Sequence, residues 1–383
     1  MTAKLTWAPS STLPPLYAGW MDELLGGPIP RETQATCENC AMCAAGGEKS
    51  GDDTLFFAPD IKCCTYVPVL PNFLVGRILE DAEPAMAAGR RTVEARIAGR
   101  VGVTPLGLDR PPVQRLLYQH GSQLAFGRSR TLRCPHYLDE AGGRCGIWRH
   151  RNGVCATWFC KYARGATGQR FWQTLDQLFA AVERDLARWC LLRLDVSPDA
   201  LERLFPHTPR PLTPEPLDAA QIDGTVDEAV YRALWGNWQG RERELFRASA
   251  PLVNQLTWGE VAAIGGSAVA VFARLAVEAY RRLWSDHVPD RLRLAPFEVV
   301  DAGPDYLRVV SYNGLDPLDL PRRLVDVLPS FDGRPTRETV HRIRAEHGIR
   351  LEARLVRRLV DFGILVPPTD PGDRARPSSA NEP

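Results

Sequence analysis

Nine of the ten cysteines of this chain fall in two short groups, and this arrangement constrains its fold more than any other feature. The first group is Cys37, Cys40, Cys43, Cys63 and Cys64, and the second is Cys134, Cys145, Cys155 and Cys160. Closely spaced cysteines bind soft and borderline metal ions, because a tight turn directs two sulfur atoms at one ion. The sequence therefore predicts a metal-binding module that draws its ligands from these nine residues.

The compartment decides whether clustered cysteines form metal sites or disulfides. The first residues show no basic segment followed by an apolar one, so we expect a cytoplasmic protein, in which thiols stay reduced. The alternative is a secreted protein with disulfide bonds. The most apolar run, residues 261–273, is shorter than the about 20 residues that span a bilayer and predicts a buried helix and no membrane partner.

Hydrophobic periodicity and proline content predict a mostly α-helical protein with short β-strands. Five prolines in residues 205–218 indicate a stiff linker, and apolar spacing over about 169–194 predicts a long helix that carries Cys190 as a core residue. We expect an irregular lead-in (1–36), followed by a cysteine-cluster domain that is held together by metal and covered by helices (37–200). The linker (205–218) then leads to a helical region (219–290). A winged-helix-like domain (291–366) and a disordered tail (367–383) complete the expected order.

The cysteine spacing leaves the type of metal centre open. Cys37, Cys40 and Cys43 have the Cys-x2-Cys-x2-Cys spacing of a ferredoxin-type cluster, and they also fit part of a zinc site. Adjacent side chains of an extended backbone point to opposite sides, so Cys63 and Cys64 could serve two centres. Nine thiolates suffice for two centres with four thiolate ligands each. They also fit one centre together with several cysteines that do not bind metal.

Two histidines lie inside the second cysteine group. His136 and His150 could each replace a cysteine ligand. The simpler role for each is a hydrogen bond to a sulfur atom or to the backbone.

The second group resembles the YkgJ-type cysteine-cluster family, whose members are described as zinc- or iron-chelating. The resemblance covers about residues 37–165 and is carried by Cys134, Tyr137, Leu138, Cys145, Ile147, Trp148, Arg151, Cys155, Trp158 and Cys160. Asn152 and Ala156 stand where the family has proline and arginine. The resemblance implies thiolate ligation of zinc or iron and supplies no reaction.

The C-terminal part has the pattern of a small winged-helix-like domain. The segments FEVV and YLRVVSY predict strands, followed by a helix over 319–328, a helix capped by Thr336 and ended by Gly348, and a last helix over 351–362. This order is similar to PqqD-like domains, which implies a peptide or protein partner bound at a sheet edge by residues 291–366. Ten Arg against seven Asp plus Glu in residues 318–366 is a weak positive balance, so nucleic acid is the less favoured partner.

Together these features predict a metal-binding cysteine-cluster protein with a C-terminal partner-binding domain. The first three cysteines favour an iron–sulfur cluster over zinc. The alternatives are an iron–sulfur redox enzyme that modifies a peptide or protein, and a zinc-stabilised interaction protein without catalysis. The sequence contains none of the common nucleotide-binding, zinc-protease or serine-hydrolase motifs, so it predicts no particular reaction or catalytic residue.

Overall fold

A computed structural model describes residues 13–32, 40–43, 57–140, 143–206 and 224–368. Contacts divide the chain into a first unit, Met1–Phe159 with Trp172–Glu278, and a second unit, Cys160–Phe171 with Ala279–Pro383. The expected lead-in is described over residues 13–32, which include a helix at Pro15–Leu25. Most of the expected linker and tail lies outside the described residues, so those two expectations stay predictions. The described residues are mostly helical with short strands, which confirms the predicted fold class at that level.

The first unit is built from helices and very short strands. Its helices are α1 (Pro15–Leu25), α2 (Asn72–Glu80), α3 (Ala87–Gly99), α4 (Pro112–Ala125), α5 (Gly153–Thr157), α6 (Gly165–Arg193), α7 (Pro198–Leu204), α8 (Glu228–Trp235), α9 (Glu242–Asn254) and α10 (Trp258–Trp284), of which α6 and α10 include residues of both units. Its strands are β1 (Leu70–Pro71), β2 (Val103–Thr104), β3 (Gly107–Leu108), β4 (Tyr137–Leu138) and β5 (Arg144–Cys145), arranged as a β1-β3-β2 sheet and a β4–β5 hairpin.

Helices α2 and α9 pack with their backbones almost in contact. A Cβ atom added to Gly76 of α2 would lie 1.9 Å from the carbonyl oxygen of Phe246 in α9, so only glycine fits there. Phe246 and Trp235 are fully buried in the same core as Ile78 of α2. The helices that follow the predicted linker therefore share one core with the segment that follows the first cysteine group.

Helix α10 differs from its prediction. The expected buried helix over 261–273 is longer, and only 22% of its most apolar window is buried. Arg274 interrupts the apolar run without ending the helix, and Gly266, with φ 58° and ψ −145°, kinks it. Among the described residues α10 is the one helix long and apolar enough to cross a membrane by length and composition, a test that core helices of soluble proteins also pass.

Besides its parts of α6 and α10, the second unit contains two small antiparallel sheets and three α-helices among its described residues. Its further elements are β6 (Arg291–Leu294), β7 (Glu298–Ala302), β8 (Tyr306–Val310), β9 (Leu318–Pro321), α11 (Arg322–Val327), β10 (Asp332–Pro335), α12 (Thr336–His347), α13 (Ala353–Asp361) and β11 (Leu365–Val366). The sheet orders are β7-β8-β9 and β10-β6-β11. Leu292, Phe331 and Ile364 are buried in its core.

Two local predictions for this unit are wrong in detail. The helix expected from residue 319 begins at Arg322, because residues up to Pro321 pair with β8 and Pro321 has φ −55° and ψ 136°. Thr336 does not cap α12: its hydroxyl donates to the carbonyl oxygen of Pro289 at 2.8 Å. Gly348 does end that helix, with φ 67°, as predicted.

Candidate metal centre

A tight turn carries Cys40 and Cys43 of the first cysteine group. The backbone N–H of Cys43 donates to the carbonyl oxygen of Cys40 at 3.0 Å. Burial raises the pKa of the Cys43 thiol to about 12, and the charge and hydrogen bond of the neighbouring Cys40 thiol add to the shift. These two thiols are therefore in contact. Cys37 lies outside the described residues.

The adjacent pair Cys63 and Cys64 lies in an irregular turn. Lys62 has a φ of 55°, and the N–H of Cys64 donates to the carbonyl oxygen of Ile61 at 3.1 Å. The expectation of an extended pair with opposed side chains is wrong, because the turn lets the Cys63 thiol hydrogen-bond to the Cys64 sulfur. This hydrogen bond, followed by burial, raises the pKa of Cys63 well above its ordinary value.

A backbone hydrogen bond joins the two cysteine groups. The N–H of Cys134 donates to the carbonyl oxygen of Cys64 at 2.8 Å. On Cys64 the hydrogen bond from Cys63 lowers the pKa, but burial and three thiols of the second group outweigh it, so the pKa is raised. Burial and then the Cys145 thiol raise the pKa of Cys134 to about 12, while the backbone N–H of His136 lowers it by bonding to the sulfur.

The other two thiols of the second group in this unit come from β5 and α5. Cys145 on β5 lies opposite Tyr137 of β4. Cys155 lies in α5, where the side-chain oxygen of Asn152 accepts its backbone N–H at 3.3 Å and caps the helix. Burial and then the Cys145 and Cys134 thiols raise the pKa of Cys155 well above its ordinary value. Asn152 thus has a structural role of its own as the cap of α5.

Seven thiols of the first unit form a continuous set, which we call the thiol cluster. Its members are Cys40, Cys43, Cys63, Cys64, Cys134, Cys145 and Cys155, linked by the mutual pKa effects described above. The described cysteines are thiols rather than disulfides. As they stand, no three His, Cys, Asp or Glu side chains of the described residues are arranged to hold a metal ion.

Three basic side chains accompany the thiol cluster. Lys62 lowers the pKa of Cys43, Arg96 that of Cys134 and Arg151 that of Cys155, although burial dominates each net shift. Lys62 is only 7% exposed, and its ammonium donates to the carbonyl oxygen of Gly143 at 2.9 Å. None of the three was predicted from the sequence as a partner of the cysteines. Lys62 adjoins the Cys63–Cys64 pair and could have been noticed, whereas Arg96 on α3 gives no such signal.

The other two described cysteines outside the thiol cluster are Cys160 and Cys190. Cys160 belongs to the second unit, where it is buried and its carbonyl oxygen accepts the side-chain amide of Asn313 at 3.0 Å. Cys190 on α6 is fully buried, and its thiol lies 3.9 Å from the carbonyl oxygen of Ser249. Burial raises the pKa of Cys190 to about 12, as expected for a core thiol.

The two histidines differ in how their ring nitrogens are used. Nε2 of His150 lies 2.7 Å from the carboxylate of Asp81, and its Nδ1 accepts from Nε of Arg77 at 3.4 Å. Both nitrogens of His150 are therefore committed to hydrogen bonds. His150 lines a cleft of about 680 Å³ together with Arg77, Asp81 and Arg149.

His136 is fully buried between α3 and the β4–β5 hairpin. Its Nδ1 lies 2.7 Å from the hydroxyl oxygen of Thr92. Burial, reinforced by the charge of Arg96, lowers the pKa of His136 to about 3, so the ring is neutral at physiological pH. Its Nε2 has no hydrogen-bond partner in the described part of the chain.

A buried carboxyl group adjoins the start of α5. Oε1 of Glu183 accepts the backbone N–H of Gly153 at 2.5 Å and also the hydroxyl of Tyr17. Burial raises the pKa of Glu183 to about 7, although both hydrogen bonds oppose the shift. Through these hydrogen bonds the carboxyl group links α6 to α1 and to α5, the helix that carries Cys155.

Among the described residues of the second unit, β7 is an edge strand of its sheet. Strand β7 pairs with β8 on one side, and all five of its residues are exposed. Val299 and Val300 are 49% and 47% exposed, and the register shifts between Val299 and Asp301. An edge strand with unpaired backbone groups can accept a further strand.

No protein-family model, curated protein or solved structure matches this chain.

Proposed function

We propose that the protein binds a metal centre through the thiol cluster of its first unit, and that the metal holds this irregular part of the chain together. The observation that carries the proposal is the junction of Cys64 and Cys134, where two cysteine groups distant in sequence meet. Burial, and after it the neighbouring thiols, disfavours the ionisation of Cys134 and Cys155 and raises their pKa values. A bound cation would stabilise the thiolates instead.

Local structure around the cysteines supports a structural role for the metal. Residues 57–69 contain turns and no helix or strand, and β4 and β5 are each two residues long. Such segments contribute few regular backbone hydrogen bonds, so a metal would supply the cross-link that secondary structure does not. The Lys62, Arg96 and Arg151 side chains would offset part of the thiolates' negative charge.

The favoured occupant is an iron–sulfur cluster, with thiolate-bound zinc as the alternative. The Cys-x2-Cys-x2-Cys spacing and the resemblance to the YkgJ-type family support a thiolate-bound metal, and the spacing favours the cluster. A cytoplasmic location, which we also propose, would keep the thiols reduced. An iron–sulfur cluster absorbs visible light, whereas zinc does not, so the two occupants differ in colour.

The test compares thiols inside and outside the thiol cluster. Wild-type protein, Cys134→Ala, Cys155→Ala and the core control Cys190→Ala would be purified without oxygen and analysed for iron, sulfide and zinc. We expect the wild type and Cys190→Ala to carry the same metal and the other two variants to lose most of it. Equal metal content in all four proteins, or none in the wild type, would overturn the proposal.

We further propose that the second unit binds an extended peptide at the edge of β7. Its support is the exposed strand with Val299 and Val300 at its register shift, together with the similarity to PqqD-like domains. An added strand would bond to backbone groups along this edge, and its side chains would contact these valines.

A displayed library of random short peptides provides a probe for this edge. We expect full-length protein to enrich a sequence family, and Val299→Asp with Val300→Asp to abolish that binding. Val230→Asp is the matched control, because Val230 is 54% exposed but lies on α8 of the first unit. No enrichment by wild-type protein, or enrichment that survives the double substitution, would contradict the proposal.

A further inference from the structure

The backbone of His136 is held in place next to a thiol-cluster sulfur. Its N–H bonds to the sulfur of Cys134, and its carbonyl oxygen accepts the N–H of Gly146 at 2.8 Å. The N–H of Tyr137 donates to the carbonyl oxygen of Cys134 at 3.1 Å, which closes a turn around Pro135 and His136. These contacts fix the position from which the imidazole ring projects.

The hydrogen bonds of Thr92 determine which ring nitrogen carries the proton. The Thr92 hydroxyl donates to the carbonyl oxygen of Gly89 at 2.6 Å, so its single hydrogen is used. It can then only accept from His136, whose Nδ1 lies 2.7 Å away. Nδ1 is therefore protonated, and Nε2 presents a lone pair.

That lone pair is buried without a partner. His136 is 0% exposed, and its Nε2 accepts no hydrogen bond from the described residues. An unpaired buried acceptor is costly, and native proteins rarely leave one. His150, by contrast, uses both nitrogens, on Arg77 and Asp81.

We propose that Nε2 of His136 is a nitrogen ligand of the metal centre, which gives the site a mixed thiolate–imidazole ligand set. This inference rests on the proposed function. Metal-binding histidines usually donate the other ring N–H to an oxygen acceptor, which fixes the tautomer and the ring orientation. Thr92 has that position here, so it is a positioning residue.

His136 and Cys134 share a neighbour, the side chain of Arg96. The guanidinium of Arg96 acts on both the Cys134 thiol and the His136 ring, so one side chain adjoins the two proposed ligands. Nη1 of Arg96 is also buried without a partner in the described residues. Of these two unpaired atoms only the His136 nitrogen can bind a cation, because the Arg96 N–H donor needs an electron-pair acceptor such as a thiolate.

X-ray absorption at the edge of the bound metal, on the full-length protein purified without oxygen, tests this ligand set. Sulfur and nitrogen neighbours of zinc differ in distance, about 2.3 Å against about 2.0–2.1 Å, and imidazole adds outer-shell scattering. We expect wild-type protein to show one imidazole nitrogen with sulfur, and His136→Cys to show sulfur alone. The control His150→Gln should match the wild type.

Two further outcomes separate this inference from the proposed function. A wild-type protein that contains metal in an all-sulfur shell would overturn the role of His136 and leave thiolate binding intact. A wild-type protein without metal would overturn both. Thr92→Val removes the acceptor of Nδ1–H, and we expect it to weaken metal binding by about 10–100-fold without changing the nitrogen signal. Unchanged affinity in Thr92→Val would contradict its positioning role.

Discussion

The backbone N–H of Cys134 donates to the carbonyl oxygen of Cys64 at 2.8 Å, and this hydrogen bond joins two cysteine groups that are far apart in sequence. Around it the chain forms turns and two-residue strands rather than long ladders. A bound metal would therefore contribute much of the stability of this region.

We accordingly expect metal removal to destabilise the first unit. Chelator treatment or Cys134→Ala should lower its Tm by on the order of 10 °C, because structural metal binding contributes directly to the free energy of folding. Calorimetry with and without chelator measures the change. Cys190→Ala, which alters a core thiol, should retain the chelator effect; an identical Tm for treated and untreated wild type would contradict the expectation.

Lys62 offers a test of thiolate stabilisation by charge. Its ammonium lowers the pKa of Cys43, so Lys62→Met should make that thiol harder to ionise. Because thiols must lose their protons to bind metal, the affinity of this variant should fall, and it should fall further as the pH decreases. Metal competition titrations at several pH values measure this, with Lys62→Arg as the charge-preserving control. Equal pH profiles for Lys62→Met and wild type would count against the charge effect.

The cysteine turn and the long helix α6 could be predicted from the sequence because both depend on short-range patterns. The Cys40–Cys43 turn is set by spacing, and α6 follows apolar periodicity. The Cys64–Cys134 junction could not be predicted, because no local pattern pairs two distant turns. The exposure of α10 depends on what packs against it, which its composition does not encode.

The candidate site was predictable in its residue types but not in its surroundings. In the sequence Asn152 is noticeable only as a departure from the YkgJ-type pattern. In the structure its side chain caps α5. The difference between His136 and His150 lies entirely in their partners, Thr92 in one case and Asp81 with Arg77 in the other. Such partners come from distant elements and leave no sequence signal.

Glu183 predicts a pH dependence of stability. Burial raises its pKa from 4.5 to about 7, so between these values the folded chain keeps a proton that the unfolded chain has released. The free energy of unfolding should fall as the pH rises through this window and level off above it. Burial also raises the pKa of Asp176, which adds a change of the same sign.

Glu183→Gln isolates the contribution of this carboxyl group. The glutamine side chain cannot ionise, so the free energy of unfolding of the variant should fall less than that of the wild type between these pH values. The difference between the two decreases should be on the order of 2–3 kcal/mol. Denaturant unfolding at pH values below and above the window measures the difference. Glu244→Gln alters a carboxylate that is 59% exposed and should behave like the wild type. A wild-type stability that rises with pH through this window would show the sign to be wrong.

Two helical glycines give a matched pair for the packing of the first unit. Gly76→Ala would place a Cβ 1.9 Å from the carbonyl oxygen of Phe246, so it should destabilise the protein by about 1–3 kcal/mol or more. Gly19 on α1 has nothing within 4 Å of an added Cβ, so Gly19→Ala should stabilise by about 0.5–1 kcal/mol. Denaturant unfolding of both variants measures the contrast, and equal effects would refute the close contact of α2 with α9.

The most direct measurement is the visible spectrum of protein purified without oxygen, taken together with its iron, sulfide and zinc content. We predict metal bound in a fixed ratio to the chain and lost in Cys134→Ala. A brown protein with matching iron and sulfide would identify an iron–sulfur cluster, and a colourless protein with zinc would identify the alternative occupant. A folded, monodisperse protein that contains neither metal would contradict the account, because the thiol cluster would then be held together without the ion proposed to stabilise it.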